Sequence, residues 1–396
     1  MTLVALAALL DIVHLKNGGR QEGKVTDLGE SLRIERGPGV SVTIMKSDVR
    51  EVVPCKYIPE PPRGTRGLSW GPRHLDAARA FRFDPPAGWT PAAPGPRSVA
   101  GFSRGAERFD VWLQRDPAGL AEAVGRFRAA LGKSIGGAAI EEGTLHEARV
   151  LQASTAGGGS RRYLWVFVAA SGDRIFTLAY AAPAAAYAQD VVLIREAALT
   201  LKGLPERPLG DEQRAALERH LKEGAAADPR AAVEALLEAR ALADDWAPLR
   251  LLLAQAYAAR GSGPEAEAEF KRALELDPAD ARAAGAYARF LNGKTDYRGA
   301  AALLDPLTEA HPLSVDAHVE LARAFLGLGK PVDAQVCAAH AARLDRANAE
   351  ARYLLGLCHQ RQGDANAARE ALRAAVALDP SFGAAREALE KLGGKP

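Results

Sequence analysis

One spacing constrains this chain more than any other. Pro278, Pro312, Arg346 and Pro380 stand 34 residues apart without slippage. Walking back from each gives one skeleton. Leu253, Ala254 and Tyr257 become Tyr287, Ala288 and Leu291, then Leu321, Ala322 and Phe325, then Leu355, Gly356 and His359. Further on, Ala266, Phe270 and Ala273 become Ala300, Leu304 and Leu307, then Ala334, Ala338 and Ala341, then Ala368, Leu372 and Ala375. Two antiparallel helices approach closely only where small side chains face each other, and large apolar residues three and four places away fill the remaining holes. The proline ends the second helix of each pair. A unit of this kind cannot bury its own apolar face, so units stack and leave a concave surface.

A period of 34 with small residues at the eighth and twentieth places resembles the tetratricopeptide repeat (TPR). The units run 247–280, 281–314, 315–348 and 349–382. A divergent unit at 211–246 precedes them, with Ala232, Leu236 and Ala239 in register, and a capping helix at 383–393 closes the stack. Three positions depart from the pattern: Arg346 replaces proline, His359 takes an aromatic place, and Leu307 takes an alanine place. The resemblance implies a groove lined by the first helix of each unit that binds extended peptide. The corresponding positions here are Gln255, Arg282, Arg289, Asn292, Arg323, Tyr353, Gln360 and Arg361. Arginines and amides converging there could clamp a backbone and an acidic group. The alternative is a solvated charged face.

The first half reads differently. Residues 1–10 are apolar, too short to span a membrane, and look like the end of a secretory signal without its charged beginning. This weighs toward export or the cell envelope rather than the cytoplasm, a buried first strand or frayed tail being the other reading. Residues 11–54 alternate as five short strands on turns such as Asn17-Gly18-Gly19. Such strands lose their exposed edges by curling into a small β-barrel, and the stretch resembles SH3- or Sm-like barrels. Residues 55–78, rich in Pro, Gly and Arg, read as a linker. From 79 to 203 come strands at Phe81–Phe83, Phe109–Leu113, Ala148–Ala153, Tyr163–Ala169 and Ile175–Tyr180, with helices from about Ala118 to Leu131 and near Ala184–Leu201. Short turns between strands favour an antiparallel sheet covered by helices. The segment "FRFDPPAGW" and the closing helix resemble the PsbP-like α/β sandwich family, whose members are mostly non-catalytic binding and assembly modules. Residues 204–210 form a second linker. The fold class expected is thus multidomain α+β: an N-terminal β-barrel, an α/β sandwich and a C-terminal all-α TPR superhelix.

The 396 residues carry Lys+Arg 51 against Asp+Glu 49. That balance excludes a globally basic nucleic-acid coat. It is also a cancellation, with Lys+Arg 27 against Asp+Glu 21 in the first 210 residues and 24 against 28 beyond. No basic run is interleaved with aromatics, so no nucleic-acid partner is expected, although RNA binding through the barrel is the alternative function. Three unevenly spaced cysteines exclude a disulfide scaffold.

Chemistry almost appears four times. Gly67-Leu68-Ser69-Trp70-Gly71 matches G-x-S-x-G, but a nucleophile elbow needs a strand before the serine and a helix after it. Gly132-Lys133-Ser134 and Gly293-Lys294-Thr295 lack the earlier glycine of a phosphate loop, and Gly293 falls where a helix break is needed. Cys337, His340, Cys358 and His359 lack zinc-finger spacing and read as core. An enzyme site in the middle domain would have only His146 and scattered carboxylates to draw on. The expectation is a non-catalytic scaffold with a protein or peptide partner, no cofactor, no metal and no membrane span.

Overall fold

The computed structural model describes residues 11–16, 20–37, 40–54, 67–134, 140–145, 147–157, 160–226 and 228–393. The apolar residues 1–10, the turn Asn17-Gly18-Gly19, Cys55 with the first half of the expected linker, and His146 lie outside the described residues. The chain forms two compact units, Gly64–Tyr287 and a second that joins Met1–Arg63 with Ala288–Pro396.

At the N-terminus, β1 (Asp11–Leu15), β2 (Arg20–Asp27), β3 (Ser31–Gly37), β4 (Val40–Met45) and β5 (Val49–Pro54) form an antiparallel sheet in the order β4-β3-β2-β1-β5. Alternation decides the buried face: Leu32 and Ile34 are buried and Arg33 between them is exposed. A 3₁₀ turn at Lys46–Asp48 links the two outer strands. A ladder between β4 and β5, which would close a barrel, is not among the described pairings.

The unit Gly64–Tyr287 begins with β6 (His74–Asp76) and β7 (Phe81–Phe83), followed by β8 (Thr90–Ala92), β9 (Ala100–Arg104) and β10 (Glu107–Arg115). Then come α1 (Leu120–Ser134), β11 (Ile140–Leu145), β12 (Ala148–Gly157), β13 (Ser160–Ser171), β14 (Arg174–Pro183), α2 (Ala184–Ala198) and β15 (Lys202–Gly203). Seven strands make one antiparallel sheet, β11-β12-β13-β14-β10-β9-β8, and three make a small one, β15-β7-β6. The period of two along β13 splits the large sheet between two cores. Trp165 and Phe167 join Phe81, Phe83, Trp89, Phe102, Phe109, Phe176 and Ile194 of α2. Val166 and Val168 join Val124 and Phe127 of α1 on the opposite face. The result is an antiparallel sheet between two helices.

The remaining helices are α3 (Asp211–Ala226), α4 (Pro229–Leu242), α5 (Ala247–Arg260), α6 (Gly263–Leu276), α7 (Ala281–Gly293) and α8 (Tyr297–Ala310). They continue as α9 (Val315–Gly327), α10 (Pro331–Leu344), α11 (Ala349–Arg361), α12 (Ala365–Leu378) and α13 (Gly383–Lys391). The first helices of the four regular units start at 247, 281, 315 and 349, and the second at 263, 297, 331 and 365. The 34-residue step of the sequence is therefore the step of the helices, and this run has the form of a TPR superhelix. Ala254, Ala266, Ala288, Ala300, Ala322, Ala334 and Ala368 are fully enclosed. A Cβ on Gly356 would meet Leu372 Cγ at 2.6 Å, the close approach that the small-residue pattern demands. Leu307, where alanine was expected, is only half-buried; Pro306 lies within α8, and Thr308 beside it is buried instead. The helix break near Gly293 falls on Thr295, whose φ is +63°.

Candidate binding surface

Within Gly64–Tyr287 the segments read as linkers are packed against the first repeats. Ala77, Ala80 and Leu204 share a core with Leu217, Leu236, Trp246, Leu249 and Leu253. The indole N–H of Trp246 donates to the Pro205 carbonyl at 2.9 Å. Arg207 reaches both Asp244 and Asp245. Apolar residues inside a proline-rich stretch thus serve as packing surface rather than spacer.

A buried ion network lies across the same junction. Arg73 grips Asp84 through Nε and Nη2 at 2.7 Å each, and Asp280 through Nη1 and Nη2 at 2.8 Å each. Arg82 Nη2 donates to Asp277 at 2.6 Å, and Lys202 Nζ donates to the other oxygen of that carboxylate at 2.5 Å. Arg282 donates to Asp84 at 3.2 Å and to the Gly71 carbonyl at 2.8 Å. Asp280 also caps α7 by accepting from the Ala283 backbone N–H. Burial alone would raise the Asp280 pKa, but the charges of Arg73 and Arg82 outweigh it and hold this carboxyl well below its ordinary value. Burial alone would lower the Arg73 pKa, and Asp280 and Asp84 raise it instead.

The eight groove positions fall in three settings. Gln255 and Arg282 line a cleft of about 590 Å³ together with residues 72–79, α3 and α5. Arg289, Asn292 and Arg323 meet at Glu320, which is 3% exposed. Its carboxylate accepts from Arg289 Nε at 2.7 Å and from the Asn292 amide at 2.9 Å, and Arg323 Nε lies at 3.5 Å. Burial alone would lower the Arg289 pKa; the hydrogen bond and charge of Glu320 raise it. Arg323 also pairs with Glu350. Tyr353 packs against Phe382 with ring centroids 5.0 Å apart, while Gln360 and Arg361 are exposed at the end of α11. Three of the four arginines expected to seize an acidic ligand, Arg282, Arg289 and Arg323, thus hold carboxylates of their own chain.

Other candidates take structural places. Ser69 lies in extended chain, its carbonyl accepting from the Ala87 N–H at 2.7 Å, with no helix after it. Cys337 and Cys358 are buried thiols, and burial pushes the Cys358 thiol up to about 12. His340 and His318 each donate from Nε2 to the Pro312 carbonyl at 2.9 Å. Among the described residues no group of three or more His, Cys, Asp or Glu side chains is placed to hold a metal ion. A cleft of about 200 Å³ between α1 and the sheet, lined by Trp112, Phe127 and Ile175 among others, has no titratable group in its lining.

Sequence reasoning missed Arg73, Arg82, Asp84, Asp277 and Asp280. Arg82 and Asp84 flank Phe83 and read as the solvent side of a strand. Asp280 is in register with the helix caps Ser314 and Asn348 and reads as a cap alone. No local signal marks either face as buried.

A family model described as tetratricopeptide repeat matches residues 293–344 and 320–381; the C-terminal region carries TPR repeats. Among solved structures, the chain is similar to MamA, residues 41 to the end, from Desulfovibrio magneticus RS-1. That likeness has 21% identity and a TM-score of 0.41, over 44% of this chain and 98% of the other. It is also similar to YrrB, described as a TPR protein with an unusual peptide-binding site, at 17% identity and a TM-score of 0.40, over 46% of this chain and 94% of the other. No curated protein sequence matches the chain. The repeats mark the chain as a protein-interaction scaffold in general terms, and among the described residues no helix is long and apolar enough to cross a membrane.

Proposed function

We propose that this chain is a non-catalytic adaptor that captures a protein or peptide partner in the concave groove of its TPR repeats. The observation that carries this reading is the strict 34-residue step of the helices, since repeats of one geometry bring equivalent side chains of their first helices to one face. Glu320, held by the buried Asn292 amide, orients Arg289 and Arg323, so the groove offers preset guanidinium donors and costs little ordering on binding. Gln360 and Arg361 extend the same surface without burial.

The test is affinity capture from the native cell with the full chain as bait. Replacing Gln360 and Arg361 together by Glu should abolish capture of the specific partner while circular dichroism stays unchanged. Reversing Arg289 and Arg323 is a less clean test, because it would set two new carboxylates against buried Glu320. Arg323→Gln is the gentler companion. Full capture by both variants would overturn the groove reading.

A further inference from the structure

The cleft at Gln255 and Arg282 differs from a groove made of helices alone, because residues 72–79 supply one of its walls. Its floor is Leu221 of α3 with Pro248, Leu251 and Leu252 of α5, and Leu75 faces them from β6. At about 590 Å³ it lies within the roughly 300–1,000 Å³ typical of ligand clefts. Most charges in its lining are already answered. Arg73 is held by Asp84 and Asp280, Arg282 by Asp84 and the Gly71 carbonyl, and Arg79 by Asp76 at 2.8 Å. Glu218 and Lys222, one turn apart on α3, bring opposite signs to the rim. A lining that is electrically balanced with an apolar floor gives a charged ligand little to gain, and desolvating its charge there would cost affinity.

We infer that this cleft is a recognition pocket for an uncharged, apolar side chain of the partner, with the α/β domain supplying part of the specificity. The inference rests on the adaptor reading and deepens it: the partner carries an apolar anchor rather than an acidic one at this end of the repeats. The Arg73–Asp280 link keeps the wall in place before the partner arrives, so the pocket is preformed. Leu75, which belongs to no repeat, touches the anchor.

The experiment places a cysteine at the exposed mouth, Gln255→Cys, in the full chain. It offers three disulfide fragments of equal size, bearing a neutral benzyl, a carboxylate or an ammonium group, under the same thiol competition. Intact mass with peptide mapping separates capture at position 255 from capture at the native cysteines. The neutral fragment should be retained at least tenfold better than either charged one. Leu251→Arg in that background should erase the preference. Leu75→Ser, a milder change on the opposite wall, should reduce it several-fold with the circular dichroism spectrum kept. Equal retention of all three fragments, or preference for the carboxylate, would overturn the pocket. Partner capture that still depends on Gln360 and Arg361 would then leave the groove standing and remove only this inference. Fragment preference with no such capture would instead support the pocket and remove the groove.

Discussion

Asp280 and Glu320 are both buried carboxylates among the repeat helices, and they are held in opposite ways. Glu320 is answered from its own neighbourhood: Arg289 and Asn292 reach it from α7, about one repeat unit earlier in the chain. Asp280 is answered by Arg73, 207 residues away, from the extended segment just before β6, which belongs to no repeat. The first is a product of repeat geometry and could occur in any stack of this kind. The second exists only because an α/β domain is docked on the first repeats. A repeat period sets the first arrangement, and a long-range ion pair holds one wall of the cleft beside the second.

The sharpest way to break this contrast is to remove Arg73. Arg73→Ala leaves Asp84 and Asp280 buried without their shared partner, an arrangement that costs about 3–5 kcal/mol in comparable sites. Arg323→Ala, at a side chain 38% exposed, should cost no more than about 1 kcal/mol. Urea unfolding followed by circular dichroism measures both. Equal losses would mean that the two carboxylates do the same structural work.

A second test stays within the repeats. Gly356→Ala places a methyl group 2.6 Å from Leu372 Cγ, and overpacking of this order costs roughly 1–3 kcal/mol. An unchanged denaturation midpoint would show that α11 and α12 can separate freely, against the close approach on which the repeat register depends.

Acid separates the two kinds of buried group. Desolvation lowers the His340 pKa below its ordinary 6.5, so the unfolded chain takes up the proton first. The stability it contributes is present above pH 6.5 and is lost as pH falls through that region. Asp280 is likewise lowered, from 3.8; its contribution is present above pH 3.8 and is lost on further acidification. Thermal melts against pH should therefore weaken in two steps. His340→Gln, which keeps a donor for the Pro312 carbonyl, should shrink the upper step, which buried His74 shares, and Asp280→Asn should shrink the lower. A single step untouched by either variant would contradict the assignment.

The repeats were legible because their fold depends on neighbours at a fixed offset: the positions of Ala254, Ala322 and Gly356 follow from the period alone. The middle domain was legible in part, since the alternation of Trp165, Val166, Phe167 and Val168 announces a strand buried on both faces. The junction was not. Pro72 to Ala80 has the composition of a linker, and nothing in "RHLDAARA" says that Leu75 and Ala77 will be covered by helices more than a hundred residues away. Register assigns the expected groove positions to the first helices, but register does not disclose that the Glu320 carboxylate sits beside both Arg289 and Arg323. Long-range pairing is set by docking, which leaves no periodic trace.

The smallest effect tests how far repeat geometry overrides local preference. Gly261, Gly329 and Gly363 close the first helices of three units with φ of +84°, +71° and +85°. Thr295 occupies the same place in the remaining unit with φ of +63°, and the Asp296 N–H still donates back to the Leu291 carbonyl at 2.9 Å. A residue other than glycine pays about 1–2 kcal/mol in this region, and a β-branched side chain is especially ill-suited to it. Thr295→Gly removes the strain but loosens the unfolded chain, an offset of about 0.4–1 kcal/mol. Thr295→Asn relieves part of the strain without that entropic offset, because asparagine visits the left-handed region more readily. Both should raise the melting temperature, each by the equivalent of less than about 1 kcal/mol. A lowered melting temperature for both would mean that the threonine side chain contributes more to the turn than its backbone costs, and that this unit is held by something other than the period it shares with the rest.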